Sequence, residues 1–380
     1  MKDPSAEFPG IEGKTYLNSC AHGLLPRRTR AAIEAHLDAW QDLPDWNAWN
    51  EEVEKARRAF AALVHARPEE IAVVANASEG IGAVMSALVA RAGRPAAIVT
   101  TEADFPTGPA LARRQQEARG FEHRHVPLAR LEDAIREDAA LVSVPYVASF
   151  TGRRLDVRGL ARAARAEGVP LLVDAFQACG TFDIDVKRDD VDFLVTGVYK
   201  WLLSPAGLAF LYVRPDRHGL VPTTSGWQAH ADPYAFDPLG PLAPDARRFQ
   251  SGAPAVAACA AAAVSLDLVR SVGLAEIERA DRALVDLVLA GADERKLEVL
   301  TPRDPRERAS IVTFLVPDAP RALEALARER VIVNSRLGGL RVSPHFYNQP
   351  ADVERLFEVL DRLPRAAGAT EGHRVPTSSG

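Results

Sequence analysis

Six short runs of apolar and β-branched residues punctuate the first 213 positions: "IAVVAN", "AAIVTT", "ALVSVPYV", "PLLVDAF", "DFLVTGV" and "LAFLYV". Their length and composition predict buried strands. Helical stretches lie among them, such as "EGIGAVMSALVARAG" and "VRGLARAARAEG", each closing on a glycine suited to a helix C-terminus. Strand–helix alternation predicts an α/β fold on a mainly parallel, mixed sheet. In such sheets ligand sites gather at the carboxyl ends of the strands. After the Pro-rich stretch "DPYAFDPLGPLAPDARRF", long helices are expected from about Pro254 to Ala290. A second α/β pattern follows: "SIVTFLV", "APRALEALARER", "VIVNS", "LRVSP" and "QPADVERLFEVLDRL". The chain thus divides into a large unit, 15–270, and a smaller C-terminal α/β unit, 271–363. Residues 1–30 are expected to pack with the smaller unit, and 364–380 to form a disordered tail.

The 380 residues allow two or three units, and the net charge of -5 gives no reason for a nucleic-acid or membrane-surface partner. The start "MKDPSAEFPG" lacks the pattern of a secretory signal, and no apolar run is long enough to span a bilayer. Three widely spaced cysteines, Cys20, Cys179 and Cys259, suit a reducing cytoplasm better than a disulfide framework. His123 and His125 alternate along a possible strand, but no further ligand cluster accompanies them, so no metal site is expected.

In "VTGVYKWLLSPAG", Lys200 follows an apolar run between Tyr199 and Trp201. A lysine there either snorkels out to solvent or serves as a desolvated amine nucleophile that forms a Schiff base. Asp174 ends the run "PLLVD". By itself it could be a cap or a turn residue. Paired with a strand-end lysine, it meets the two needs of pyridoxal 5'-phosphate: an amine for the aldehyde and a carboxylate for the pyridine nitrogen. "NASEGIG" follows a strand and opens a helix, with Ser78 as the expected N-cap. The N–H groups around Ala77, Ser78 and Glu79 could face an anion, or the motif could be a plain cap.

The segment from Val173 to Val213, "VDAFQACGTFDIDVKRDDVDFLVTGVYKWLLSPAGLAFLYV", resembles the core signature of the class V aminotransferase-like enzymes, fold type I pyridoxal phosphate proteins. Cysteine desulfurases, kynureninases and isopenicillin N epimerase-like proteins belong to that group. The resemblance runs from "YLNSCAHGLLP" to "LRVSPHFYNQPADVERL". It implies that Lys200 carries the cofactor, Asp174 pairs with the ring nitrogen and Gln177 reaches the ring hydroxyl. Phe105 would lie on the cofactor face. Ala77, Ser78, Tyr199 and Thr196 would surround the phosphate. Arg341 would hold the substrate carboxylate, with Asn18, His22 and Trp227 on the substrate side. A homodimer is implied by "RRFQSGAPA", which is similar to a piece that members lend to a neighbour's phosphate site.

Three positions depart from the family pattern. Ala77-Ser78 stands where many members have two hydroxyl residues, Gly197 where many have a serine, and Gly252-Ala253 where the family has Gly-Thr. The loop "VIVNSRLGGLR" has no cysteine, which argues against the persulfide route of a desulfurase. "SGWQAHADPYAFDP" resembles a kynureninase stretch, so Trp227, His230, Tyr234 and Phe236 either line an aromatic pocket or pack a loop. The expected function is a pyridoxal phosphate enzyme acting on a small α-amino acid, an aminotransferase first. The alternatives are a kynureninase-like hydrolase, a C–S lyase, or a binding protein that kept the fold without catalysis.

Overall fold

The computed structural model describes residues 6–89 and 96–363. The chain opens with a two-residue strand β1 (Thr15–Tyr16) and two helices, α1 (Arg27–Asp42) and α2 (Trp46–Leu63). The large sheet follows: β2 (Ile71–Val74), α3 (Ala77–Ser86), β3 (Ala97–Thr101), α4 (Thr107–Arg119), β4 (Glu122–Val126) and a one-turn α5 (Leu131–Ala134). It continues with β5 (Ala139–Pro145), α6 (Val157–Ala166), β6 (Leu171–Asp174), β7 (Phe193–Gly197) and β8 (Ala209–Val213). The six apolar runs all form strands. The strand order is β2-β8-β7-β6-β5-β3-β4.

Only β8 runs against the rest, pairing antiparallel with both β7 and β2. The reason is the connection. A parallel return needs a crossover of a dozen or more residues, usually a helix, and residues 198–208 supply neither. β4, "EHRHV", is a polar edge strand that apolar patterning does not mark. His123 and His125 both bond the Thr100 hydroxyl there, at 2.8 and 2.9 Å.

Both sheet faces are covered, which is why the inner strands read as almost continuously apolar. Val173, Leu194 and Phe210 face one side, against α2, α6 and α7 (Val256–Val272). Leu172, Val195 and Leu211 face the other, against α3. Phe60 of α2 stacks on Phe210 with ring centroids 4.5 Å apart, the kind of buried contact whose truncation costs about 3–5 kcal/mol.

The C-terminal part holds α8 (Leu274–Glu294), β9 (Val312–Leu315), α9 (Ala319–Arg328), β10 (Val331–Ile332), β11 (Asn334–Arg336), β12 (Gly339–Val342) and α10 (Pro350–Asp361). "VIVNS" splits at Val333. Tyr16 pairs with Ile332, whereas Asn334 pairs with Arg341. The N-terminal segment is therefore stitched into the C-terminal part. Among the described residues no single helix is long and apolar enough to cross a membrane. The expected tail, 364–380, lies outside the described residues, as does the glycine expected to close α3. The helix itself ends at Ser86.

Candidate active site

Lys200 is the only buried lysine among the described residues, 9% exposed. It sits in the tight turn that joins β7 to β8. The N-terminal segment clamps this turn: the Gly23 N–H donates to the Tyr199 carbonyl (2.9 Å), and a Cβ at Gly23 would stand 2.0 Å from the Lys200 carbonyl oxygen. Only glycine permits that approach. The amine makes no hydrogen bond or ion pair within the described protein. It faces aromatic rings instead, 4.1 Å from the Phe176 centroid and 5.9 Å from those of Phe105 and Tyr199. Burial, with a smaller push from Arg341 and Arg336, pulls its pKa down to about 8 against the pull of Asp174.

Asp174 closes β6 on the sheet face shared with α3. Its Oδ1 accepts the Phe176 N–H at 2.9 Å. Desolvation pushes the carboxyl up, while that hydrogen bond and the Lys200 charge pull it back. Gln177 is 5% exposed and locked, its Nε2 donating to the Cys20 carbonyl (3.0 Å) and its Oε1 accepting from Trp201 Nε1 (2.9 Å). One amide N–H remains for a ligand.

Asn76, not Ser78, caps α3. Its backbone is extended and its side chain accepts the Glu79 N–H at 2.9 Å. Asparagine caps as well as serine does, and Ser78 is left as the second helical residue, its hydroxyl 3.2 Å from that of Thr107. The N–H groups of Ala77 and Ser78 have no partner among the described residues and open the helix toward an anion. Tyr199 stands edge-on to Phe176 (5.0 Å) and 5.4 Å from His22.

Two expected residues lie elsewhere. Thr196 points to the sheet face opposite Asp174, because side chains alternate along β7 and Val195 and Gly197 take the α3 face. Its hydroxyl is buried and donates to the Gly197 carbonyl at 3.1 Å. Trp227 packs with Tyr234 (5.9 Å) and Phe236 (6.1 Å), not with the Lys200 group. Its segment is tied to Gln250, whose side chain caps the β2 edge through the Val73 N–H, two strands away from β7.

Arg341, on β12, is 4% exposed and has no carboxylate partner. Its Nε donates to Asn334 Oδ1 (2.8 Å) and its Nη1 to the Ser149 carbonyl. Asn334 in turn donates to Asn18 Oδ1. The guanidinium is thus aimed by both parts of the fold, with Nη2 left to bind an anion. Asn334 is a site residue that no sequence motif marks; the split of "VIVNS" across two sheets puts it there. Cys20, remote in sequence, lies with Sγ 4.0 Å from Asn334 Nδ2 and is buried. Arg336, exposed at the same edge, adds positive charge toward Lys200 and Arg341.

Arg341→Lys keeps the charge and loses the planar fork. Amino-acid binding should weaken by about 1.5–3 kcal/mol, roughly ten- to a hundredfold, with cofactor absorption unchanged. Titration with substrate checks this, and unchanged affinity would place the carboxylate elsewhere.

A family model described as Aminotransferase class-V matches residues 16–356. An uncharacterized aminotransferase of Bacillus subtilis (strain 168), YcbU, is 31% identical over 361 residues, covering 93% of this chain and 95% of that protein. A kynureninase of Deinococcus radiodurans is 30% identical over 344 residues, covering 84% and 82%. Among solved structures, a cysteine desulfurase from Thermococcus onnurineus NA1 superposes with a TM-score of 0.86 at 24% identity, covering 95% of this chain and 97% of that one. The cystine C–S lyase C-DES superposes at 0.87 and 23%, covering 94% and 99%. These two likenesses are of fold.

Proposed function

The chain belongs to the aminotransferase class-V family, whose enzymes depend on pyridoxal phosphate, and from that premise we propose that it is an aminotransferase of α-amino acids. The carrying observation is an unpaired, desolvated lysine beside a strand-end carboxylate, within reach of the charge of an aimed guanidinium that has no carboxylate partner. The residues fit the cofactor: a buried amine without a partner, a carboxylate in reach of its charge, and two free N–H groups at a helix start. Lys200 would anchor the aldehyde, Asp174 hold a proton on the ring nitrogen, and Ala77 and Ser78 bind the phosphate. Bound pyridoxal phosphate supplies a sink for the electron pair left when a bond to Cα breaks. Arg341 and Asn334 orient the substrate carboxylate. The Lys200 amine would move the proton at Cα. Phe176 packs on the amine, with the rings of Phe105 and Tyr199 farther off.

The relative called an aminotransferase supports this reading. A second reading, hydrolytic cleavage of an aryl side chain, draws on the 30% identity to a kynureninase. The aromatic group around Trp227, which would favour flat substrates, packs away from Lys200 within this chain. A desulfurase route lacks a cysteine on the 331–341 loop, and Cys20 is buried. Mass spectrometry of products from a panel of amino acids decides the matter. Turnover should require a keto-acid acceptor; turnover without one would turn the assignment to a lyase or hydrolase.

The same reading makes the enzyme a homodimer. Its support is the segment "RRFQSGAPA" and a band of exposed apolar side chains: Trp40, Leu43, Trp46, Phe236 and Leu239. Light scattering at micromolar concentration should give twice the chain mass. A fully active monomer would end the dimer proposal.

A further inference from the structure

We propose that Phe176 and Gly197 work as a coupled pair, in which the phenyl ring fills the space of a side chain at 197 and packs on Lys200 as an aromatic wall that positions the lysine and its cofactor. The inference rests on the pyridoxal phosphate reading above.

Gly197 is the last residue of β7, three before Lys200. A Cβ there would stand 2.3 Å from Cζ of Phe176 and 2.8 Å from both Cε atoms. Contacts that short do not occur, so any side chain at 197 must displace the ring. The surroundings of the ring are ordered: the Phe176 backbone N–H donates to Asp174 Oδ1 at 2.9 Å, the ring meets Tyr199 edge-on with centroids 5.0 Å apart at 76°, and the next residue, Gln177, is held between Trp201 and Cys20. Of the three rings around the amine, Phe176 is the nearest, at 4.1 Å against 5.9 Å for the others. Its sequence position, two residues after Asp174, puts it between the groups that would hold the two ends of the cofactor. An aromatic ring in contact with Asp174 at one end and Lys200 at the other must pass beside it. The missing hydroxyl at 197 is then the consequence of the phenyl ring: there is no room for both. Phe176 acts through Lys200 and the cofactor ring, as a positioning residue.

A double-mutant cycle tests the coupling. Gly197→Ala adds the Cβ alone, Phe176→Ala removes the ring, and the double variant has the Cβ without the clash. The readouts are the Kd for pyridoxal phosphate, the absorption maximum of the bound cofactor and the melting temperature of the cofactor-free protein. Gly197→Ala should weaken cofactor binding roughly tenfold or more. Phe176→Ala should weaken it severalfold and shift the absorption maximum. The double variant should bind no worse than Phe176→Ala. Multiplying single effects would overturn the coupling, as would a Gly197→Ala protein indistinguishable from the parent. A Phe176→Ala protein altered only in melting temperature would make the ring a packing residue and end the positioning role. If Gly197→Ala does not fold, recovery of soluble protein in the double variant supports the pair, and no recovery overturns it. Wild-type protein that fails to take up the cofactor would refute the underlying reading; uptake with an additive cycle would refute this inference alone.

Discussion

Lys200→Met should abolish turnover while leaving the fold intact. Methionine keeps the apolar stem that packs against Phe176 and removes only the amine. Loss of the general base by itself removes roughly 10²–10⁴ in rate, and loss of the covalent anchor adds to that. The same substitution has a stability signature with a definite sign. In the folded protein the amine titrates at about 8, below its ordinary value of 10.5, because burial disfavours its charge. The unfolded chain therefore binds more protons between those two values, and stability rises with pH across that window. Below pH 8 the buried amine opposes folding in full. The cofactor-free Lys200→Met protein should thus melt higher than the parent at pH 7, and the gap should narrow as pH rises from 8 toward 10.5. A variant that melts lower at every pH would mean that the amine is paired in solution. Retained turnover would remove Lys200 from the chemistry.

Asp174→Asn should bind cofactor nearly as well as the parent and turn over at least roughly a hundredfold more slowly, the scale of losing one electrostatic contact to a developing charge. Asparagine keeps the shape and the Oδ1 that accepts the Phe176 N–H. What it removes is the charge that would keep a proton on the ring nitrogen. Steady-state kinetics with a cofactor titration separates the two effects. Near-normal turnover would give the carboxylate another job, and loss of cofactor at equal rate would make its role structural.

Much of the floor of the candidate site is local in the chain, and so could be read from it. Asp174 and Lys200 interrupt apolar strand ends, where a polar residue needs a reason to be buried. The walls are another matter. Asn334 and Cys20 reach the site through pairings between the two ends of the chain, Tyr16 with Ile332 and Asn18 with Ser343. No window of residues contains such contacts. Thr196 stands on the face opposite Val195, a placement that alternation along "FLVTG" already carries. Trp227 sits in a loop without periodicity, and Gln250 on the β2 edge is what places that loop within the chain. The reversed β8 was within reach, since the stretch from Val198 to Leu208 is too short for a crossover.

The central claim is that one lysine carries the cofactor. The chain has six, Lys2, Lys14, Lys55, Lys187, Lys200 and Lys296. Borohydride reduction of the cofactor-loaded protein, followed by proteolysis and mass spectrometry, should place a single pyridoxyl group on the peptide that contains Lys200. A pyridoxyl group on the peptide of any other lysine, or none at all, would contradict the account.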